Sequence, residues 1–394
     1  MIEPPFVERA DVVVIGAGVI GASVAYHLAR RRAGSILVVD REASPGLGST
    51  GRATGGYRAQ YSTEINIRLS LVAREALRRF SDETGVDPGY RPVGYLWIAT
   101  TSEEFDDLAR ANALQKTCGL DEAILLNSKE VHEKNPFVHR RTIVGGAFCQ
   151  TDGFIRPLDI LRGYVEAAKR LGVKFLPDVT IAGFDRSVDG KIHTLLAHDG
   201  RVIQANAVVD AGGAWAQSIA KFADVDLPVV PLRRQVALTE PCNRLPDDMP
   251  LTIFMNDGFH LRVRDGRVML LWPTPGRTGD PFCTDVDPDW LERIAEIAPE
   301  RIPCLAGVRI DSARSWAGLY EMSPDKHAIL GPAPGCQNLY LVNGSSGHGV
   351  MHAPALGKLL AEMIVDGKTS TLDTSALRPS RFVEGDLIEA SDRL

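Results

Sequence analysis

Asp11-Val-Val-Val-Ile15-Gly16-Ala-Gly18-Val19-Ile20-Gly21 decides how this chain begins to fold. The β-branched run up to Ile15 suits a strand buried on both faces. It runs directly into Gly16-x-Gly18-x-x-Gly21, and a helical pattern follows from Val19 to Arg32, with Ile20, Val24 and Leu28 on one face. Gly34 ends that helix, and Ser35 to Val39 reads as a second buried strand closing on Asp40. Each part has a task in a dinucleotide-binding βαβ unit. Gly16 permits the tight turn, Gly18 lets backbone N–H groups approach a pyrophosphate, and Gly21 lets helix and strand pack closely. The helix N-terminus adds positive potential at the phosphates. Asp40 is placed to accept from ribose hydroxyls, and its charge disfavours a 2′-phosphate. A tight turn with no ligand would leave Asp40 unexplained.

The βαβ unit alone does not choose between a nicotinamide and a flavin. Gly46-Leu-Gly48-Ser49-Thr50-Gly51-Arg52-Ala53-Thr54-Gly55-Gly56 follows the ribose-binding strand. An extended cofactor with a ribityl chain needs such a loop of small side chains and exposed N–H groups; the alternative is a surface loop. Val208 to Trp215 reads as a strand ending in the Gly212-Gly213 turn. Asn338 to Gly349 reads as another strand and glycine loop, before a helix from Pro354 to Val365 with Pro354 in its first turn. These segments favour FAD.

In the four ordered motifs GAGVIGAS, GSTGRATGGYRAQ, VVDAGGAWA and SPDKHAILGP…NLYLVNGSSGHGV, the chain resembles the FAD-dependent D-amino-acid oxidase superfamily. The resemblance is to its sarcosine oxidase, dimethylglycine dehydrogenase and proline dehydrogenase β-subunit branches. It implies an α/β FAD-binding Rossmann-like domain plus an α+β antiparallel-sheet substrate domain. Residues 1–56, 155–225 and 323–394 would form the first, and 57–154 and 226–322 the second. Candidate cofactor contacts are Gly16, Gly18, Val19, Ile20, Gly21, Asp40 and Arg41 in the first unit. The second loop adds Gly48, Ser49, Thr50, Arg52, Ala53, Thr54, Gly55 and Gly56. Ile181, Ala211, Gly212 and Trp215 follow, and then Gly344, Gly347, His348, Gly349, Val350 and Met351.

Departures from the family pattern matter. Gly318 stands where monomeric sarcosine oxidases carry a flavin-linked Cys, and Arg52 follows the segment where dimethylglycine-type enzymes carry a flavin-linked His. FAD is therefore expected without a covalent link. Met351 replaces the carboxylate-binding Lys of sarcosine-type enzymes, and Tyr320 stands near the Arg of glycine-oxidase-like ones. Arg58 or Arg262 would then hold a substrate carboxylate, Arg being its natural bidentate partner; Arg309 and Arg314 are weaker candidates. His260, His348 and Tyr320 complete the candidates for the substrate site, with Tyr57 and Trp272 as further wall residues. The strand Arg267 to Trp272 lacks the Lys that promotes reaction with oxygen in the oxidases, which favours another electron acceptor or a partner subunit.

The expected function is oxidation of the C–N bond of a secondary or N-substituted amino acid. Alternatives are an assembly protein with structural FAD and a catalytic subunit of a heteromeric dehydrogenase. At 394 residues two domains are expected. The net charge of -6, with Lys and Arg scattered, argues against nucleic-acid or anionic-membrane partners. No run approaches the roughly 18 apolar residues of a membrane span. Acidic Glu3 and Glu8 and the missing cleavage pattern make a signal peptide unexpected. Six dispersed cysteines without C-x-x-C suit reduced thiols in a cytoplasmic enzyme, and no metal site is expected. Elsewhere, a helix is expected over Glu64–Thr84, a strand over Val93–Ile98, helices over Leu158–Leu171 and Trp290–Ala298, and a hairpin turning at Asp265-Gly266. The polar tail after Asp373 is expected to be loosely ordered.

Overall fold

The computed structural model describes residues 7–139, 143–273 and 279–389. Its first sheet is assembled from distant pieces of chain. The strand Val7–Ile15 lies between Ile36–Val39 and Val202–Asp210, parallel to both. Lys174–Leu176 extends the sheet on one side; Cys336–Asn343 and then Ile329–Ala333 extend it on the other. Val12, Val13, Val14, Ile36, Leu37, Val38 and Val39 are all buried, which explains the unbroken β-branched run. An antiparallel hairpin, Ile181–Arg186 and Ile192–Ala197, hangs from Val202–Asp210.

Two helices pack together over this sheet. Val19–Arg30 carries Ser23, whose hydroxyl donates to Ala353 O at 2.8 Å in Gly349–Asp366. A Cβ at Gly357 would overlap Ser23, so glycine at that position lets the helices meet. The second helix begins five residues before the expected Pro354, which lies inside it. Burial of both neighbouring turns outweighs the N–H that proline cannot supply.

The second sheet has eight strands among the described residues, ordered Trp316–Met322, Val230–Leu238, Arg267–Leu271, His260–Arg264, Leu251–Phe254, Tyr95–Ala99, Gly145–Cys149 and Ala123–Asn127. It is antiparallel except where Leu251–Phe254 runs parallel to Tyr95–Ala99. The Asp265-Gly266 turn forms as expected, with φ of 54° and 67° at the two residues. The expected helix over Glu64–Thr84 is two, Glu64–Arg78 and Phe80–Thr84, with the break at Arg79. Pro157–Arg170 and Pro288–Arg301 are the other two anticipated helices.

The tail corrects its expectation. Leu377 and Arg381 are fully buried, and Arg381 pairs with Asp325 at 2.8 Å and donates to His327 O at 3.2 Å. One buried ion pair and the apolar anchor Leu377 order a segment whose composition reads as solvent-facing. Among the described residues no helix is long and apolar enough to cross a membrane.

Candidate functional site

The two sheets face each other across a cavity of about 680 Å³, within the range of about 300–1,000 Å³ of small-molecule and cofactor sites. Its first end is made by backbone. At Gly16, with φ of 108°, a Cβ would overlap the carbonyl of Ala211; at Gly21 a Cβ would overlap Gly16 O. A Cβ at Gly48 would meet nothing within 4 Å, and one at Gly18 would have Thr50 Oγ1 as its nearest neighbour at 3.4 Å. The Asp40 carboxylate accepts from Ala17 N at 2.6 Å and Glu42 N at 2.8 Å. Each oxygen keeps a second lone pair for a ribose hydroxyl. Arg41 lies over the Trp215 ring at 3.6 Å, and Trp215 stacks on Phe282 at 5.3 Å between centroids. Together with Ile181, these residues give a planar base an apolar and cationic wall.

The loop between Gly46 and Gly56 is tied down. Thr50 Oγ1 accepts from Val19 N at 3.1 Å, Ser49 donates to Leu319 O at 2.8 Å, and Arg52 donates to Ala317 O at 2.7 Å. Trp316 returns a bond to Arg52 O at 2.8 Å. Gly48, Ser49, Thr50, Arg52, Ala53, Thr54, Gly55 and Gly56 all reach the cavity wall, as do Val19, Ile20, Ala211, Gly212, Gly347, His348, Gly349, Val350 and Met351. Gly344 does not. Its φ of 69° turns the chain, and a Cβ there would press on Ser323 and Ile329. The first turn of Gly349–Asp366 leaves the N–H groups of Gly349, Val350 and Met351 without intrahelical acceptors at the cavity wall. These features fit the pyrophosphate, ribityl and flavin parts of FAD. No cysteine lines the cavity among the described residues, and Gly318 packs against the Arg52 side chain.

Side chains make the other end. Arg58 is buried, 4.0 Å from the Tyr61 ring and 4.9 Å from the Trp97 ring. It donates to Gln60 O at 2.8 Å, and its second nitrogen lies 3.3 Å from His348 Nε2. Guanidinium can only donate, so His348 Nε2 accepts and its proton sits on Nδ1. Burial and the Arg58 charge hold His348 well below the usual histidine range. His260 Nδ1 lies 2.8 Å from Gly258 O, which can only accept. His260 is therefore neutral with Nε2 as an acceptor, its pKa lowered to about 4 by burial first and by Arg58 and Arg234 after that. Tyr320 is also at this wall. Asp152 stands behind Arg58, accepting from Ala59 N and Gln60 Nε2, with its pKa raised to about 6 by burial.

Arg262 is not at the cavity. It donates to Thr54 O at 2.7 Å and Gly55 O at 2.8 Å, over the Phe154 ring at 3.7 Å. Its Nη1 pins the glycine loop to the hairpin and the residue stays off the cavity wall, so it is no substrate anchor. Arg309 pairs at the surface with Glu240, and Arg314 with Asp311. Tyr57 is fully buried, donating to Ser70 O, whereas Trp272 reaches the cavity. His348 precedes the helix that carries His352, four residues further on, but His352 Nε2 engages Ser70 Oγ at 2.9 Å. No group of three metal-binding side chains occurs among the described residues.

Sequence reading missed Arg234, Glu321 and Trp97, all of which line the cavity. Their strands carry no motif, and only strand pairing turns these side chains inward. Glu321 Oε1 accepts from Ser345 N at 3.2 Å while its covered Oε2 has no partner. Burial raises its pKa to about 7. Asp210, with its own unpartnered Oδ2, is raised to about 8 by burial first and by Glu321 after that.

Comparison with known proteins agrees with this geometry. The family model described as DAO, FAD dependent oxidoreductase, matches residues 11–363. The chain is 30% identical to "FAD-dependent oxidoreductase domain-containing protein 1" of Bos taurus, covering 97% of this chain and 86% of that protein. It is 27% identical to the glycine oxidase of Geobacillus kaustophilus, over 95% and 98% of the two chains. Among solved structures, the L-proline dehydrogenase from P. horikoshii superposes with a TM-score of 0.89 at 27% identity, covering 97% of this chain and all of that one.

Proposed function

Since the chain belongs to the DAO family of FAD dependent oxidoreductases, we propose that this enzyme oxidises the C–N bond of a secondary or N-substituted amino acid at the side-chain end of the cavity. The observation that carries this reading is Arg58. It is a buried guanidinium at the cavity wall, with no ion pair among the described residues. A buried cation left unpaired is costly, and a substrate carboxylate would complete it. FAD, when bound, supplies the two-electron acceptor for a hydride leaving the carbon that bears nitrogen; water then hydrolyses the imine.

The chain's own residues bind and orient. Arg58 holds the carboxylate, and His348 is kept neutral beside it, so the two do not compete as cations. His260 Nε2 is the acceptor for an amine N–H. With a pKa near 4 it orients the amine without taking its proton at neutral pH. The N–H groups of Gly349, Val350 and Met351, without intrahelical acceptors at the cavity wall, would hold the electron-rich end of a bound flavin. Trp97, Trp272 and Leu271 exclude water. The FAD is held without a covalent bond, so acid precipitation releases all of it from the protein.

The strand Arg267–Leu271 carries no lysine, and Lys326, on the turn after Trp316–Met322, is the lysine at the cavity wall among the described residues. This supports an electron acceptor other than oxygen. Anaerobic mixing with N-methyl, cyclic and opine-like amino acids tests the reading: one class should bleach the flavin's blue absorbance within seconds to minutes. No bleaching across all three classes would overturn it.

A further inference from the structure

Behind the substrate end lies a carboxylate that is off the cavity wall. Tyr57 pairs antiparallel with Gly153, and continuing that register by one residue sets Asp152 across from Arg58. Asp152 is fully buried and does not line the cavity, so whatever enters the chamber meets Arg58 and not Asp152. Both of its oxygens grip the turn that follows Arg58. Oδ1 accepts from Ala59 N at 2.8 Å and Oδ2 from Gln60 Nε2 at 3.1 Å. Gln60 O in turn accepts from Arg58 Nη1 at 2.8 Å, which links carboxylate and guanidinium through one residue. The turn that carries Asp152 is itself fixed, with Gly94 N donating to Asp152 O at 2.8 Å.

The surroundings of Asp152 leave it one cation that matters. Tyr57, Tyr61, Tyr90, Tyr95 and Cys149 all feel its charge, and burial pushes each of them upward, Tyr90 and Cys149 to about 12. They stay neutral at ordinary pH. Arg74 bonds Thr151 Oγ1, next door in sequence, and pairs with Glu122. Burial raises Asp152 to about 6, while Ala59 N, the Gln60 amide and the Arg58 charge oppose that rise. An anion on Arg58 upsets this balance. It offsets the guanidinium charge and adds a negative charge of its own, so Asp152 becomes easier to protonate.

We propose that Asp152 is a positioning residue for Arg58, and that binding of a substrate carboxylate is coupled to uptake of a proton from solvent by the Asp152 carboxylate. This deepens the amine-oxidising reading, rests on Arg58 as its carboxylate anchor, and concerns binding alone. The direction follows from linkage. Below about pH 6 Asp152 holds its proton with or without the anion, and affinity does not depend on it. Above pH 6 the free protein carries a carboxylate and the complex a carboxyl. Carboxylate affinity therefore falls as pH rises, until the complex ionises as well.

Butyrate has no amine and cannot be oxidised, so titration calorimetry on the flavin-loaded enzyme reads carboxylate binding without turnover. Between pH 5.5 and 8.5 its Kd should rise by about 3- to 10-fold through Asp152, the equivalent of half to one pKa unit. Glu321 and Asp210 titrate in the same range, at about 7 and 8, and His260 and His348 stand beside the anion. All four remain in Asp152→Asn, so the difference between variant and parent belongs to Asp152. The variant should lose this rise and, at pH 8.5, bind butyrate about 3- to 10-fold more tightly than its parent. A purely structural role predicts weaker binding instead. A pH dependence unchanged by Asp152→Asn overturns the proposal, as does weaker binding at pH 8.5. If the variant does not fold, heats measured in two buffers of different ionisation enthalpy decide. Butyrate should bring a net proton into the natural enzyme at pH 7, and no uptake overturns the proposal. Arg58→Met separates the two readings. Butyrate affinity indifferent to that substitution breaks the anchor itself, whereas an Arg58-dependent affinity without the Asp152 effect breaks only the coupling.

Discussion

The two ends of the cavity are built by different means. The nucleotide end is backbone: Gly16, Gly18 and Gly21 let main-chain groups come close, and Asp40 caps them through Ala17 N. The substrate end is side chain: Arg58, Arg234, His260, His348 and Tyr320 come from separate segments and meet only in the folded molecule. The first end tolerates almost no change in shape, because what it must avoid is overlap. The second is sensitive to charge, because its groups are taken out of water.

The largest effect should come from Gly21→Val. The new side chain overlaps Gly16 O, so helix and strand must separate. Soluble protein should be lost or flavin-free, as judged by the ratio of flavin to protein absorbance. Full flavin content in this variant would break the contrast.

Arg262→Met probes the seam between the ends. It removes two bonds to Thr54 O and Gly55 O and the stack on Phe154. We expect about 2–4 kcal/mol of destabilisation by denaturant unfolding, with flavin reduction by substrate retained in the folded fraction. Arg58→Met should do the reverse. Flavin content should be unchanged while KM rises by about 10- to 100-fold, the loss of a charge-assisted carboxylate contact. Equal behaviour of the two variants would erase the distinction between a pinning and a binding arginine.

The smallest effect concerns pH. Burial raises Glu321 to about 7, above its ordinary 4.5. In the window from 4.5 to 7 the folded chain holds a proton that the unfolded chain releases, so this group's contribution to stability falls as pH rises. Glu321→Gln should therefore leave flavin-free protein unchanged below pH 4.5. At pH 8 it should raise stability by about 1–3 kcal/mol. Asp210 adds the same sign up to about pH 8, partly because of Glu321, so the substitution relieves it as well. The buried histidines, with lowered pKa values, act oppositely and cancel in the difference between variant and parent. Thermal midpoints against pH for both proteins check this; an unchanged difference at pH 4 and pH 8 would contradict it.

Much of the nucleotide end was readable because a glycine motif specifies local backbone geometry within a few residues. The Asp265-Gly266 turn was readable for the same reason. Helix ends were less so: Pro354 marks a boundary by its own chemistry, yet here it lies within Gly349–Asp366, because packing against Val19–Arg30 decides where the helix starts. The tail after Asp373 reads as polar, and Arg381 is polar; that it is buried depends on Asp325, 56 residues earlier.

The same division holds for the arginines. By itself the sequence determined the βαβ unit, the ordered glycine loops and the family, since each is written in consecutive residues whose steric needs are local. It offered Arg58 and Arg262 as equal in kind. Only the tertiary structure separated them: one is placed at the cavity wall beside His348, and the other is spent on Thr54 O and Gly55 O. Only the tertiary structure brought Arg234 and Arg58 to the wall of one cavity. The reason is that a side chain's charge has no chemical meaning until its neighbours and its distance from water are set, and both are set by strand pairing across the whole chain.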